Sequence, residues 1–247
     1  MSVYRDILKK IDGQPATGDA VEANASTAPT LAAVATPASL LDPALESMRH
    51  DLKVLSSQLE RLTDRLKSIT FCGVDSGVGV SSIALSVAVQ LAELHPGEVV
   101  FLDVNSRSQR ASLIEGLSAS DSFFDFQQSG GDAGLQSAGP LQLLNARGSR
   151  QALGRIRAQD LHSTIDRLKE RFRWIIIDAP PANHPESLIW STISDGTILV
   201  AESDKTRRLA AQAVVEQLKS LNVNLIGSVL NRRRMIIPDW IYHLLFK

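Results

Sequence analysis

The sequence predicts an α/β fold, a mostly parallel sheet flanked by helices, preceded by an N-terminal helix and a linker. Three observations carry this. Apolar runs of strand length alternate with segments of helical period along most of the chain. Two of those runs, EVVFLD (98–103) and RWIIID (173–178), are apolar almost throughout and end in an acid. A glycine-rich turn follows the first apolar run and opens directly onto a helical segment. Continuous apolar strands between amphipathic helices mean a sheet covered on both faces. Its functional edge is the crevice at the strands' carboxyl ends.

Taken in order, residues 1–12 carry Val3, Ile7, Leu8 and Ile11 at helical spacing. This short helix is too short to be stable alone, and docking on another protein or a frayed terminus are both open. Residues 13–41 are rich in Ala, Thr and Pro with little charge, the composition of a flexible linker. Across 42–67, Leu45, Met48, Leu52, Leu55, Leu59, Leu62 and Leu66 recur in alternating steps of three and four, a heptad seam. That seam either pairs with a helix of another chain, giving a homo-oligomer or a hetero-complex, or packs along its own domain.

From residue 68 to 247 the pattern is one domain. Ile69, Phe71 and Cys72 mark the first strand, and a helix from Ser81 to Leu94 stops at His95-Pro96-Gly97. Glu98–Asp103 is the next strand, so the unit is the right-handed crossover of a parallel sheet. Residues 105–140 read as two short helical pieces and a loose SGGDAGLQSAG loop. Strands follow at 141–146, 173–178, 197–201 and 224–230, with helices at 159–171 and 207–221.

Composition narrows the function. With 26 basic and 27 acidic side chains, net charge is −1 and no global field draws the chain to nucleic acid or anionic lipid. The single cysteine, Cys72, sits in a predicted buried strand and the five histidines are scattered. A disulfide framework and a Cys/His zinc site are excluded, and a reducing cytoplasm is expected. There is no 18-residue apolar run, and MSVYRDILKK lacks the apolar core of a signal peptide. Membrane association would come through a partner or a surface helix. His184 has no neighbouring Cys or His in sequence, and no GxSxG nucleophile signature is present.

The glycine-rich turn is where chemistry concentrates. In Ser68–Ser82, SITFCGVDSGVGVSS, strand, loop and helix stand in the order that makes a phosphate-binding loop meaningful. Backbone N–H groups and the helix N-terminus then form a concave anion site. Gly77 and Gly79 admit close approach of phosphate oxygens, and Ser81 and Ser82 stand where such loops place a hydroxyl on Mg²⁺. Between Gly79 and Ser81 such loops carry lysine, whose charge acts on the β/γ-phosphates. Here that residue is Val80, and Asp75 adds a negative charge. One charge-assisted hydrogen bond is worth about 1.5–3 kcal/mol, about ten- to a hundredfold in affinity. Catalysis should suffer more than binding, because transition-state charge is where a lysine acts most. Asp103 and Asp178, each closing an apolar strand, either cap turns or join the Ser81 hydroxyl as hard-oxygen ligands for Mg²⁺.

From about Glu46 onward these motifs resemble the cytoplasmic ATPase-fold domain of the bacterial tyrosine autokinases of exopolysaccharide and capsule assembly, cousins of the Min and Par ATPases. SGVGVS (Ser76–Ser81) resembles their PGEGKS loop without its lysine. VFLDVNSR resembles their DxDxR motif, giving Asp103, Asn105 and Arg107, and WIIIDAPP resembles their third motif, giving Asp178, Pro180 and Pro181. DGTILVAESDKTRR, GSVLNRRR and the closing IPDWIYHLL are also similar to the family. The resemblance implies a P-loop NTPase-like fold, ATP or ADP with Mg²⁺ as cofactor, and Asp103 as catalytic residue in an active member. It implies nucleotide contacts from Ser76, Gly77, Val78, Gly79, Val80, Ser81, Ser82 and Asn231, with Asn231 at the adenine. Ser81, Asp103 and Asp178 would hold the metal. The implied partner is the cytoplasmic segment of a membrane polysaccharide co-polymerase, at the cytoplasmic side of the inner membrane.

Three departures remove kinase function separately. The lysine is Val80, the second acid is Asn105, and the only tyrosines, Tyr4 and Tyr242, form no cluster. The ExxRxxR assembly motif of the family survives as Glu46 and Arg49, with Leu52 in the third place. A non-catalytic regulatory or scaffold subunit is therefore expected. The alternative is a slow tyrosine kinase or ATPase using a substitute cation, such as Arg107 or a partner's arginine. The basic run Arg232–Arg234 is read as a solvated turn or a phosphate or lipid-headgroup contact. Met235–Phe246 is read as a helix docked over the sheet or lying at a membrane interface.

Overall fold

Seven strands form one sheet in the order β3-β4-β2-β5-β1-β6-β7. They are β1 Ser68–Gly73, β2 Val99–Asp103, β3 Gln136–Ala138, β4 Leu141–Asn145, β5 Trp174–Asp178, β6 Gly196–Glu202 and β7 Leu225–Asn231. Among the described residues six helices accompany them: α1 Arg49–Glu60, α2 Val80–Leu94, α3 Ser122–Ser129, α4 Ala158–Arg171, α5 Pro185–Ile193 and α6 Arg208–Ser220. This computed structural model describes residues 49–62, 65–105, 122–129, 133–146 and 158–232. The N-terminal helix with Tyr4, the linker, Leu45 and Met48, Arg107, and the segment 233–247 with Tyr242 lie outside the described residues.

Every strand pair is parallel except β3 with β4. Residues of β1, β2 and β5 are buried without exception, which is why those strands read as predominantly apolar runs. Alternate side chains feed two cores. On one face Phe71, Phe101 and Ile176 meet α2 and the α1 leucines. On the other, Leu102, Ile175 and Ile177 meet Phe123 and Phe126 of α3, Leu161, Ile165 and Leu168 of α4, Trp190 of α5, and Leu218 of α6. The three-layer α/β/α arrangement expected from the sequence is the observed one.

Three local differences have physical reasons. The heptad helix, expected to reach residue 67, stops at Glu60. The chain then turns, with the Leu66 N–H donating to the Leu62 carbonyl at 2.9 Å, to deliver Lys67 and Ser68 to the sheet. Leu52, Leu59 and Leu66 are buried in their own domain and Leu55 packs partly against it, so these seam positions are used within the chain. The loose loop after α3 contains β3, which returns through Gly139 (φ 61°) and Pro140 to pair antiparallel with β4. Helix α5 carries a start signal, Pro at its first turn. Its inward Ser187 and Ser191 disguise its buried face.

The amino-terminal edge is fastened by two carboxylates. Asp195 accepts hydrogen bonds from the Lys67 and Ser68 N–H groups, both at 2.9 Å, and an ion pair from Lys169 at 2.7 Å. Glu60 accepts from Trp174 Nε1 at 2.9 Å and lies 3.0 Å from His95 Nε2. Together they fix where α1, β1, β5 and β6 begin or end. Among the described residues no helix is long and apolar enough to cross a membrane.

Candidate functional site

The chain leaves β1 at Gly73 and makes the glycine loop before α2 starts. Gly77 and Gly79 both take positive φ, 78° and 94°, a region open to glycine at little cost. Gly79 is the residue that caps α2, and the Ile83 N–H closes onto its carbonyl at 3.1 Å. Ser76 and Gly77 are exposed, while Ser81 is half-buried and Ser82 buried at the first turn of the helix. The loop thus lies at the surface over the amino end of α2, as its sequence predicts.

Val80 does not face that surface. It is only 7% exposed and joins Val78 in the core beneath the loop. A Cβ placed on Gly73 would stand 2.8 Å from Val78 Cγ2 and 2.9 Å from Val80 Cγ2. The two valines therefore close over a glycine, and the side chain at the lysine position serves packing. Only the backbone of Val78 and Val80 remains to serve an anion.

The carboxyl end of β7 meets the loop. Asn231 Nδ2 donates to the Val78 carbonyl at 2.7 Å and abuts the open side of Gly79. Arg232 Nη1 donates to the Gly77 carbonyl at 3.2 Å and to Glu202 Oε1 at 3.0 Å. Arg232 itself has φ 55°, and its N–H donates to Asn231 Oδ1 at 2.8 Å. Asn231, expected at an adenine, is here a brace for the loop. Arg232 belongs to the basic run that the sequence offered as a solvated turn or a phosphate or lipid-headgroup contact; Glu202 was not singled out. The legible signal was an Asn-Arg-Arg-Arg run directly after a strand, at the edge where function is expected. The hydrogen bond from Arg232 holds the Glu202 carboxyl below its ordinary value of 4.5, with Lys205 adding to the effect.

Asp103 and Asp178 are brought side by side. They are register partners at the ends of β2 and β5, and Asn145 of β4 is the next in the same row. Both acids are buried, and their register places them on the sheet face that α2 covers. Asp103 Oδ1 accepts from the Asn105 N–H at 3.0 Å. Oxygen donors of this kind fit Mg²⁺, and the glycine loop fits a phosphate chain apart from its missing lysine. Among the described residues no group of three or more His, Cys, Asp or Glu could hold a metal ion. Any ion here would depend on the two aspartates, the Ser81 hydroxyl and the ligand's own oxygens. A separate cavity of about 520 Å³, lined by Leu62, Arg65, Leu66, Asp195, Asn224 and Ile226, lies at the opposite, amino-terminal edge.

Comparison with known proteins sets this geometry in context. No protein-family model and no curated protein matches the sequence. Solved structures do match its fold. The kinase domain of the Escherichia coli tyrosine kinase ETK is similar over 77% of this chain and 79% of its own, with TM-score 0.64 and 14% identity. The VpsO kinase domain is similar over 76% of this chain and 98% of its own, with TM-score 0.64 and 19% identity. The MinD cell division protein of Aquifex aeolicus is similar over 72% of each chain, with TM-score 0.57 and 18% identity. The chain therefore has the P-loop NTPase-like α/β fold shared by bacterial tyrosine kinase domains and Min-type proteins.

Proposed function

We propose that this chain is a regulatory or scaffold subunit of an exopolysaccharide or capsule assembly machine, built on a tyrosine-kinase-like fold and without kinase turnover. The observation that carries this reading is Val80, buried with Val78 over Gly73 where the fold's phosphate loop needs an exposed cation. Nucleotide would bind through the loop N–H groups, with Ser81, Asp103 and Asp178 holding Mg²⁺. Bound Mg²⁺ would neutralise phosphate charge; the loop would orient the chain of phosphates and exclude water beneath it through Val78 and Val80. The partner is the cytoplasmic segment of a membrane polysaccharide co-polymerase, at the inner face of the membrane.

The test is turnover by the purified full chain, alone and with that membrane partner. No phosphotyrosine and no steady ATP hydrolysis are expected in either case. Sustained hydrolysis abolished by Asp178→Asn would overturn the reading.

A second reading, a slow kinase or ATPase, is favoured by one observation: the Arg232 guanidinium already touches the loop. In it Arg232 is the substitute cation, a place the sequence had offered to Arg107. Hydrolysis that disappears in Arg232→Ala, and is unaffected by Arg107→Ala, would select it.

A further inference from the structure

We infer that Glu202 is a built-in competitor for the phosphate chain, holding Arg232 in an ion pair beside the glycine loop and so lowering the loop's affinity for polyphosphate. The inference deepens the reading above and rests on the loop being a phosphate site.

The geometry is specific. Strands β6 and β7 end level, with Glu202 and Asn231 as register partners, so the acid and the residue after Asn231 are neighbours by construction. The 202–206 turn is fixed by the Thr206 N–H on the Glu202 carbonyl at 3.0 Å and by the Glu202 N–H on Thr206 Oγ1 at 3.0 Å. Glu202 is therefore presented from a rigid turn, with its side chain 13% exposed. Arg232 is 54% exposed, and a long side chain on the surface is free to change partners. One nitrogen, Nη1, serves both the Gly77 carbonyl and Glu202. A phosphate oxygen arriving at the loop would take the donor that Glu202 now holds.

The exchange leaves no stranded charge. Lys205 Nζ lies 3.2 Å from the other Glu202 oxygen, Oε2, so the carboxylate keeps a cation when the guanidinium leaves. A carboxylate offers a single negative charge, whereas a triphosphate offers several acceptor oxygens to a guanidinium fork. Glu202 can thus weaken binding without blocking it. The arrangement sets a threshold concentration for loading a loop that has no lysine of its own.

The experiment measures Mg–ATP and pyrophosphate affinity of the full chain by titration calorimetry, with no reliance on turnover. Glu202→Gln should tighten binding about two- to fivefold, the range set by an exposed ion pair. Arg232→Ala should weaken it about tenfold or more. The double variant should match Arg232→Ala, and Lys205→Ala should leave affinity within twofold of the parent. Unchanged affinity in Glu202→Gln, or a gain that persists without Arg232, would overturn the competitor role while leaving the loop as a phosphate site. No binding by any variant, Glu202→Gln included, would overturn the phosphate site itself and the competitor with it.

Discussion

Val80 rests on Gly73: its Cγ2 lies 2.9 Å from where a Cβ on that glycine would stand, with the Asp75 carbonyl at 2.8 Å on another side. Gly73 closes β1 and cannot take even one methyl without moving the loop backbone. Gly73→Ala is expected to cost about 1–3 kcal/mol, as overpacking does. Equilibrium urea unfolding monitored by circular dichroism would show it as a lowered midpoint.

Returning a lysine is the complementary change. Val80→Lys withdraws a buried side chain from the contact with Gly73 and offers an ammonium to the loop. Stability should fall by about 1–2 kcal/mol, while Mg–ATP affinity should rise about tenfold. Phosphotyrosine should still be absent, because Tyr4 and Tyr242 stand alone in the sequence. Autophosphorylation of Val80→Lys, read by antibody or mass spectrometry, would mean the lysine was all the loop lacked.

Acid sensitivity follows from the two carboxylates at the amino-terminal edge. Partial burial pushes Glu60 up, yet hydrogen bonds to His95 and Trp174 outweigh it and leave the group below 4.5. Burial likewise pushes Asp195 up, and Lys169 with the Lys67 and Ser68 N–H groups leaves it below 3.8. A lowered folded-state value means stability that is complete above the ordinary value and lost as pH falls through the folded one. The unfolding midpoint should therefore hold from pH 7 down to about 5 and drop below the ordinary carboxylate range. Asp195→Asn should lower the midpoint at pH 7 and flatten the drop.

Along α1 and the turn that follows it, the exposed and buried positions separate two roles. Leu59 is in the core and Leu59→Ala should cost about 2–5 kcal/mol. Val54 and Leu62 are 44% and 37% exposed, so Val54→Lys or Leu62→Lys should leave stability within about 0.5 kcal/mol. If a partner helix uses the exposed side of α1 and its following turn, those two variants are the ones that abolish its capture. A pull-down with the co-polymerase segment, beside light scattering for self-association, reads the difference.

Cys72 is fully buried in β1, and burial raises its thiol to about 11 against the hydrogen bonds of Ser187 and Ser191. Alkylation at pH 8 should be negligible in the folded protein and prompt in 6 M guanidinium. Rapid native labelling would show that α5 opens away from the sheet.

The sequence made the central sheet readable because β1, β2 and β5 are buried on both faces, so β2 and β5 are apolar up to their closing acids and β1 carries only Ser68 and Thr70 among its buried residues as polar side chains. Asp103 and Asp178 stood out for the same reason, as acids closing apolar runs. What stayed hidden depended on contacts far apart in the chain. Nothing in the order of residues says that Val80 turns inward onto Gly73, or that Arg232 reaches Gly77, 155 residues earlier. Helix α5 escaped because its buried face is built with serines around Trp190. The heptad seam announced a packed helix, and its spacing alone left open whether the surface it met was this chain's own.

The placement of β1 between β5 and β6 also bears on how the protein is made. Ser68 pairs with Ile175 and Ile69 with Gly196, so β1 has neither of its hydrogen-bonding neighbours until more than a hundred further residues have emerged from the ribosome. Such distant pairing is slow to form and exposes apolar surface meanwhile. A nascent chain arrested before Trp174 should therefore lean on chaperones, and one released past Asn231 should not.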